Sequence, residues 1–199
     1  MHISLENKKA LVGGSSGGLG KSIAIQLADS GATVTLLARN EEKLIQAISE
    51  LPTPFGQQHQ YLVADFSGID NYKQIIAGYF KHNAVDVLIN NTNGPQAGPV
   101  TEKTDEDYLT AFSMLFRTVQ YTTALALEQM QQNKYGRIIN LTSRTVKEPA
   151  DALALSNTIR AAVCTWGKTL ANAVAKDNIT VNNILTGNFD TERLKQLFQ

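Results

Sequence analysis

Short apolar runs alternate along the chain with longer amphipathic stretches. The apolar runs have the length of β-strands and occupy residues 10–13, 33–38, 61–64, 85–90, 137–142 and 179–185. Helical spacing predicts helices near residues 18–30, 41–50, 69–80, 105–132 and 151–176. This alternation predicts an α/β fold with a doubly wound parallel sheet and helices on both faces. Because no linker or repeat interrupts the pattern, residues 1–199 are predicted to form a single domain.

The first strand leads into a glycine-rich turn that opens the first helix. Residues 13–20 read Gly-Gly-Ser-Ser-Gly-Gly-Leu-Gly. Backbone N–H groups in such a turn can approach a ligand closely, and a helix N-terminus favours negative charge. The turn therefore predicts a phosphate site, with a flexible Gly/Ser tract as the plain alternative. A mononucleotide P-loop ending in Gly-Lys-Ser at residues 20–22 would need glycine at position 15. The chain has Ser15 there, which disfavours an NTPase.

The end of the second strand bears on the choice of dinucleotide. About twenty residues after a glycine loop, an acidic residue binds the ribose 2′-hydroxyl of NAD, whereas an arginine accommodates the 2′-phosphate of NADP. Arg39 stands at this position, and the first acids, Glu41 and Glu42, open the next helix. The sequence therefore favours NADP over NAD. A surface arginine without a ligand is the alternative.

Composition excludes several other classes of function. Eighteen basic and eighteen acidic residues balance, which gives no charge to attract nucleic acid or an anionic membrane. Cys164 is the only cysteine and the three histidines lack metal-ligand spacing, so neither a disulfide framework nor a metal site is predicted. No apolar run reaches the roughly 18 residues that span a bilayer, and no signal peptide opens the chain. We therefore expect a cytoplasmic protein.

Motifs at the strand ends resemble those of the short-chain dehydrogenase/reductase family, including its 3-oxoacyl-[acyl-carrier-protein] reductases. Gly14-x3-Gly18-x-Gly20 is similar to the family's cofactor loop, residues 65–67 to its Asp-x-Ser/Thr element, and residues 90–94 to its Asn-Asn-Ala-Gly element. The resemblance covers nearly the whole chain and implies a Rossmann-type fold with a bound dinucleotide. The implied cofactor contacts are Gly14, Ser15, Ser16, Gly18, Leu19, Gly20, Arg39, Asp65, Phe66, Asn91, Thr92, Gly187 and Thr191.

The same resemblance implies a catalytic set that this chain keeps only in part. Ser143 matches the serine that holds the substrate oxygen after the fifth strand, but Ser156 stands in the tyrosine position and Arg160 in the lysine position. The asparagine position falls near Leu115, where no amide is present. A serine is a far weaker acid than tyrosine, whose pKa is about 10, and arginine stays cationic. Losing a general acid typically costs about 10²–10⁴ in rate.

Two functions are consistent with these residues. The first is an NADP-dependent short-chain oxidoreductase that acts on a carbonyl, acyl-thioester or alcohol substrate through a weakened proton relay. The second is a dinucleotide-binding protein without turnover, which serves as a sensor or as a partner in an oligomer. The family's substrate lid and last strand would follow Gln199, so we expect this chain either to be a fragment or to lack both. Helices 105–132 and 151–176 resemble the family's dimer-forming pair, so we expect a homodimer or tetramer.

Overall fold

The computed structural model describes residues 3–189. Its strands are β1 (Lys9–Gly13), β2 (Thr33–Ala38), β3 (Gln60–Val63), β4 (Val87–Asn90), β5 (Gly136–Ser143) and β6 (Ile179–Thr186). Its helices are α1 (Gly18–Asp29), α2 (Glu41–Ser49), α3 (Ile69–Phe80), α4 (Asp105–Phe112), α5 (Thr118–Gln132) and α6 (Ala154–Val174). The strands form one parallel sheet in the order β3-β2-β1-β4-β5-β6. This strand order and direction confirm the predicted doubly wound fold.

Helices cover both faces of the sheet because successive strand residues point to opposite sides. In β1, Val12 packs into a cluster with α1 and α2, whereas Leu11 packs into a second cluster with α3, α5 and α6. Both side chains are fully buried. A strand that is buried on both faces reads as a continuous apolar run, which is why the strands were recognisable in the sequence.

The strand order reverses beside β1, which pairs with β2 on one side and β4 on the other. Connections from β1 and β4 therefore leave the sheet in opposite directions, and a crevice opens between their carboxyl ends at Gly13 and Asn90. Ligands of doubly wound sheets bind at this switch point. The fold thus places the glycine turn and the motif at residues 90–94 at one edge of the sheet.

The predicted helix 105–132 is confirmed, but it contains a π turn. This turn, Ser113–Arg117, lies between α4 and α5, and the Thr118 hydroxyl at the start of α5 donates to the Met114 carbonyl at 2.6 Å. Helix 151–176 also begins later than predicted, at Ala154, because the residues before it pair with another loop. There the Gly98 N–H donates to the Ala152 carbonyl at 2.7 Å. Hydrophobic periodicity predicts neither the π turn nor the later start of α6, since both depend on local hydrogen bonding.

Candidate active site

The glycine turn is built for close packing of α1 against the sheet. Gly14 has φ +57°, in the left-handed region that glycine adopts without strain. A Cβ atom on Gly20 would overlap the Gly14 carbonyl oxygen, so only glycine lets α1 start this close to the turn. The Asn91 amide donates to the carbonyls of Gly13 and Gly14 at 3.1 and 3.4 Å, which ties the end of β4 to the turn.

The N-terminus of α1 has the features of an anion site. Its N-cap residue, Gly17, provides no side-chain cap, and the first turn contains no acidic residue. A Cβ atom on Gly17 would meet nothing within 4 Å, so the space in front of the helix is open. Because the first N–H groups of a helix lack intrahelical acceptors, this end can bind the pyrophosphate of a dinucleotide. The residues present therefore fit such a cofactor.

The side chains of two predicted cofactor residues are engaged within the framework. Ser15 is fully buried; its hydroxyl donates to the Val12 carbonyl at 2.8 Å and accepts from the Leu37 N–H at 2.9 Å. These bonds join the ends of β1 and β2, and a contact between Ser15 and the cofactor stays a prediction. The Phe66 side chain is 3% exposed and packs on Tyr72, with ring centroids 5.3 Å apart, and so it too points into the core.

The remaining predicted cofactor residues lie along the carboxyl edge of the sheet. Ser16, Leu19 and Thr92 are half-buried, and Gly18 is exposed. The Asp65 carboxylate accepts the Ser67 N–H at 2.9 Å in a turn after β3. Gly187 is exposed beyond β6, while Thr191 lies outside the described residues.

Arg39 and Lys21 are two cations near the glycine turn, and they differ in whether their charge is already paired with a carboxylate. Arg39 is exposed after β2 and forms no side-chain hydrogen bond or ion pair within residues 3–189. Lys21, the lysine of the P-loop-like Gly-Lys-Ser run, instead pairs with Glu50 at 2.7 Å and so joins α1 to α2. Within the described residues, Arg39 is therefore a cation without a competing partner at this edge, whereas Lys21 is engaged by Glu50.

A ladder of three asparagine side chains crosses β4, β5 and β6 below the crevice. Asn90, Asn140 and Asn183 are paired in register, and their amides bond in sequence at 2.8 and 2.9 Å. Gly167 of α6 faces the ladder: a Cβ atom there would lie 2.7 Å from Asn183 Oδ1. Sequence reasoning missed this network. Its signal is an asparagine near the end of each of three neighbouring strands, and reading it requires the register.

Ser143 ends β5, and its hydroxyl oxygen is saturated as an acceptor. It accepts the Thr145 N–H at 3.2 Å and the Thr145 hydroxyl at 3.0 Å. A serine oxygen with two donors directed at it has its own proton left to donate. No acceptor for that proton lies within residues 3–189, and Ser143 is only half-buried. The hydroxyl can therefore donate to a ligand at the sheet edge.

Ser156 and Arg160 lie one turn apart on α6 and face the end of β5. Arg160 Nε donates to Ser156 Oγ at 3.2 Å, and Arg160 Nη1 donates to the Leu141 carbonyl at 2.9 Å. The guanidinium is thus fixed between the helix and the strand that carries Ser143. Since Ser156 accepts from a cation, its own proton is also free to be donated, and no described residue accepts it.

Leu115, the residue predicted to take the asparagine position, lies in the core. It is 2% exposed and packs with Ile159 of α6. It belongs to the π turn, a local form that is frequent at functional sites. Arg160, Leu115 and Asn140 line a small crevice that opens between β4 and β5.

Comparison with known proteins agrees with this geometry. A family model described as short chain dehydrogenase matches residues 8–199. The chain is 28% identical over 193 residues to the 3-oxoacyl-[acyl-carrier-protein] reductase FabG of Chlamydia pneumoniae, an alignment that covers 96% of this chain and 77% of the relative. Its structure is similar to that of YwfH, an NADPH-dependent reductase involved in bacilysin biosynthesis. That comparison gives a TM-score of 0.88 at 28% identity and covers 96% of this chain and 76% of the other.

A second solved structure, the L-sorbose reductase of Gluconobacter frateurii in complex with NADPH and L-sorbose, matches with a TM-score of 0.85 at 27% identity. The match covers 93% of this chain and 71% of that one. The strand order and the glycine turn define a Rossmann-type dinucleotide-binding fold. The chain belongs to the short-chain dehydrogenase/reductase family of NAD(P)-dependent oxidoreductases. Within residues 3–189, no helix is long and apolar enough to cross a bilayer.

Proposed function

We propose that this protein is an NADPH-dependent reductase of a carbonyl substrate, in which Ser143 and Ser156 hold the carbonyl oxygen without a tyrosine acid. The observation that carries the proposal is the state of the two hydroxyls. Each oxygen accepts from a protein donor, Thr145 for Ser143 and Arg160 for Ser156, which leaves each proton to donate. Hydroxyl donors of this kind suit an oxygen on which negative charge develops.

Arg160 supports the same oxygen by its charge. A guanidinium remains protonated at all relevant pH values, so it polarises the Ser156 hydroxyl and stabilises negative charge nearby without giving up a proton. The proton that completes the alcohol then comes from solvent. NADPH, when bound, supplies the hydride. This chain's residues bind the cofactor at the glycine turn, orient the carbonyl and stabilise its charged oxygen.

Arg39 supports the choice of NADPH over NADH. It is exposed just after β2, the region that selects between the 2′-hydroxyl and the 2′-phosphate in this fold, and arginine binds phosphate through paired hydrogen bonds. We expect Arg39→Ala to weaken NADPH binding about tenfold, in keeping with one charge-assisted hydrogen bond, and to leave NADH binding unchanged. Titration of cofactor fluorescence measures both affinities. Equal losses for the two cofactors would show that Arg39 does not read the 2′-phosphate.

The alternative function is dinucleotide binding without turnover. It is favoured by the absence of a tyrosine at Ser156 and of an amide at Leu115, which in this fold is buried in the π turn. One assay distinguishes the two functions. The protein is mixed with NADPH and a panel of ketones and 3-oxoacyl thioesters, and the absorbance of NADPH is followed. The reductase oxidises NADPH with at least one compound. The alternative is supported if NADPH binds, nothing is reduced, and Ser156→Tyr with Arg160→Lys creates activity.

Assembly into a homo-oligomer and a cytoplasmic location are part of the same proposal. An apolar surface on α4 and α6, formed by Leu109, Phe112, Phe116 and Trp166, supports the former. Leu109 is 53% and Phe112 38% exposed, and Phe112 stacks on Phe116 at 4.9 Å between ring centroids. Aromatic residues on one face are typical of an interface core. The location rests on composition alone.

A further inference from the structure

The residues that follow Arg39 raise an electrostatic problem for a phosphate ligand. Glu41 and Glu42 are the first two residues of α2, and they follow Arg39 by two and three residues. A carboxylate directed at the sheet edge would pair with the guanidinium and repel a phosphate that carries about two negative charges. Asn40 does not intervene, because its side chain accepts the Lys43 N–H at 2.8 Å and caps the helix.

One of these acids is held by a residue of the neighbouring strand. The Tyr61 hydroxyl donates to Glu41 Oε1 at 3.2 Å. This hydrogen bond to a carboxylate also raises the pKa of Tyr61 above its usual value, which keeps the hydroxyl a donor throughout the physiological range.

The sheet register shows where Tyr61 lies relative to Arg39. Tyr61 pairs with Leu36, and Val63 pairs with Ala38, the last residue of β2 before Arg39. Tyr61 is therefore level with Leu36, three residues or about 10 Å along the strand direction before Arg39. The Glu41 carboxylate is thus bonded to a residue of the outer strand, and it forms no ion pair with Arg39 within residues 3–189. Glu42 has no such partner among the described residues.

We propose that Tyr61 is a positioning residue for cofactor choice, which keeps the Glu41 carboxylate away from Arg39 so that the guanidinium can bind the 2′-phosphate of NADPH. The inference rests on the proposed preference for NADPH. Tyr61 lies on β3, outside the family's motifs. By this inference it affects the binding of the 2′-phosphate and not that of the nicotinamide.

The test measures the dissociation constants of NADPH and NADH for the full chain and for Tyr61→Phe, Glu41→Gln and the double variant. We expect Tyr61→Phe to weaken NADPH binding about two- to fivefold, the size of one exposed charge interaction, and to leave NADH binding unchanged. Glu41→Gln in the Tyr61→Phe background restores wild-type NADPH affinity. The loss shrinks at high salt, because solvent-exposed charges are screened.

Glu42→Gln is the matched control, since it removes the neighbouring charge. It shifts NADPH affinity equally in the wild-type and Tyr61→Phe backgrounds, whereas the effect of Glu41→Gln depends on the background. If the wild type binds NADPH no more tightly than NADH, the proposed cofactor preference and this inference are both wrong. A preference that Tyr61→Phe leaves intact, or a loss that Glu41→Gln fails to rescue, overturns this inference alone. Unchanged thermal unfolding of Tyr61→Phe shows that the comparison is between folded proteins.

Discussion

The sequence resemblance predicts that Ser156 takes the position of the family's tyrosine, and such a replacement would change what this position can do. A phenol has a pKa of about 10 and can be tuned to deliver a proton, whereas an aliphatic hydroxyl is a much weaker acid. The hydrogen bond from Arg160 makes the Ser156 hydroxyl a better donor without making it a general acid. The pair can therefore bind and polarise an oxygen, while the proton must come from elsewhere.

Gly20 gives a prediction about the cofactor turn. We expect Gly20→Ala to destabilise the protein by about 1–3 kcal/mol, because the added methyl group overlaps the Gly14 carbonyl oxygen in a tightly packed contact. Urea unfolding measures the change. Gly78→Ala is the control: Gly78 lies in α3 with nothing within 4 Å of its added Cβ, so this substitution should stabilise by about 0.5–1 kcal/mol. Equal effects of the two substitutions would contradict the packing account.

Local patterns predicted most of the elements because the central strands of a doubly wound sheet are buried on both faces. The six strands are apolar runs in the sequence, and the glycine turn has a recognisable pattern because Gly20 of α1 occupies a place where a side chain would collide. The roles of Ser15 and Phe66 were not predictable, since a motif specifies position along the chain and not the direction of a side chain. The asparagine ladder depends on strand register, which no single strand reveals.

The asparagine ladder gives a prediction for the middle of the sheet. Asn140→Ala should destabilise by about 2–4 kcal/mol, because it leaves the Asn90 amide and the Asn183 carbonyl oxygen without their partner in a largely buried site. Asn182→Ala, an exposed position on β6, should change stability by less than about 0.5 kcal/mol. Chemical denaturation compares the two. A ladder variant as stable as the Asn182 variant would show that the network contributes little.

The end of α6 gives a prediction about pH. The Lys134 ammonium donates to the Asp177 carboxylate and lowers the pKa of that carboxyl below its usual value. A folded-state pKa below the unfolded one means that the stabilisation is present above the unfolded pKa and is lost as pH falls through the folded pKa. Urea midpoints of wild type should therefore exceed those of Asp177→Asn at neutral pH and converge with them in acid. A constant difference would contradict this.

The aromatic surface on α4 and α6 gives a prediction about assembly. Phe112→Asp should weaken the dimer about thirtyfold or more, the loss typical of a central interface residue, and give monomers in light scattering at micromolar concentration. Phe55→Asp is the matched control, because Phe55 is 57% exposed but lies in the loop after α2. If the wild type is a monomer, or if both variants stay dimeric, this surface is not the interface.

The chain as a whole has the dinucleotide-binding fold of its family, and we propose that its reaction centre is altered, so the decisive measurement is turnover by the two serines. It compares single-turnover NADPH oxidation by wild type, Ser143→Ala and Ser156→Ala, using the carbonyl compound that the wild type reduces fastest. We predict that each variant loses about 10²-fold in rate, as when one donor to a developing oxyanion is removed, with unchanged affinity for NADPH. A wild type that binds NADPH but reduces no carbonyl compound, or a Ser156→Ala variant as fast as wild type, would contradict the account.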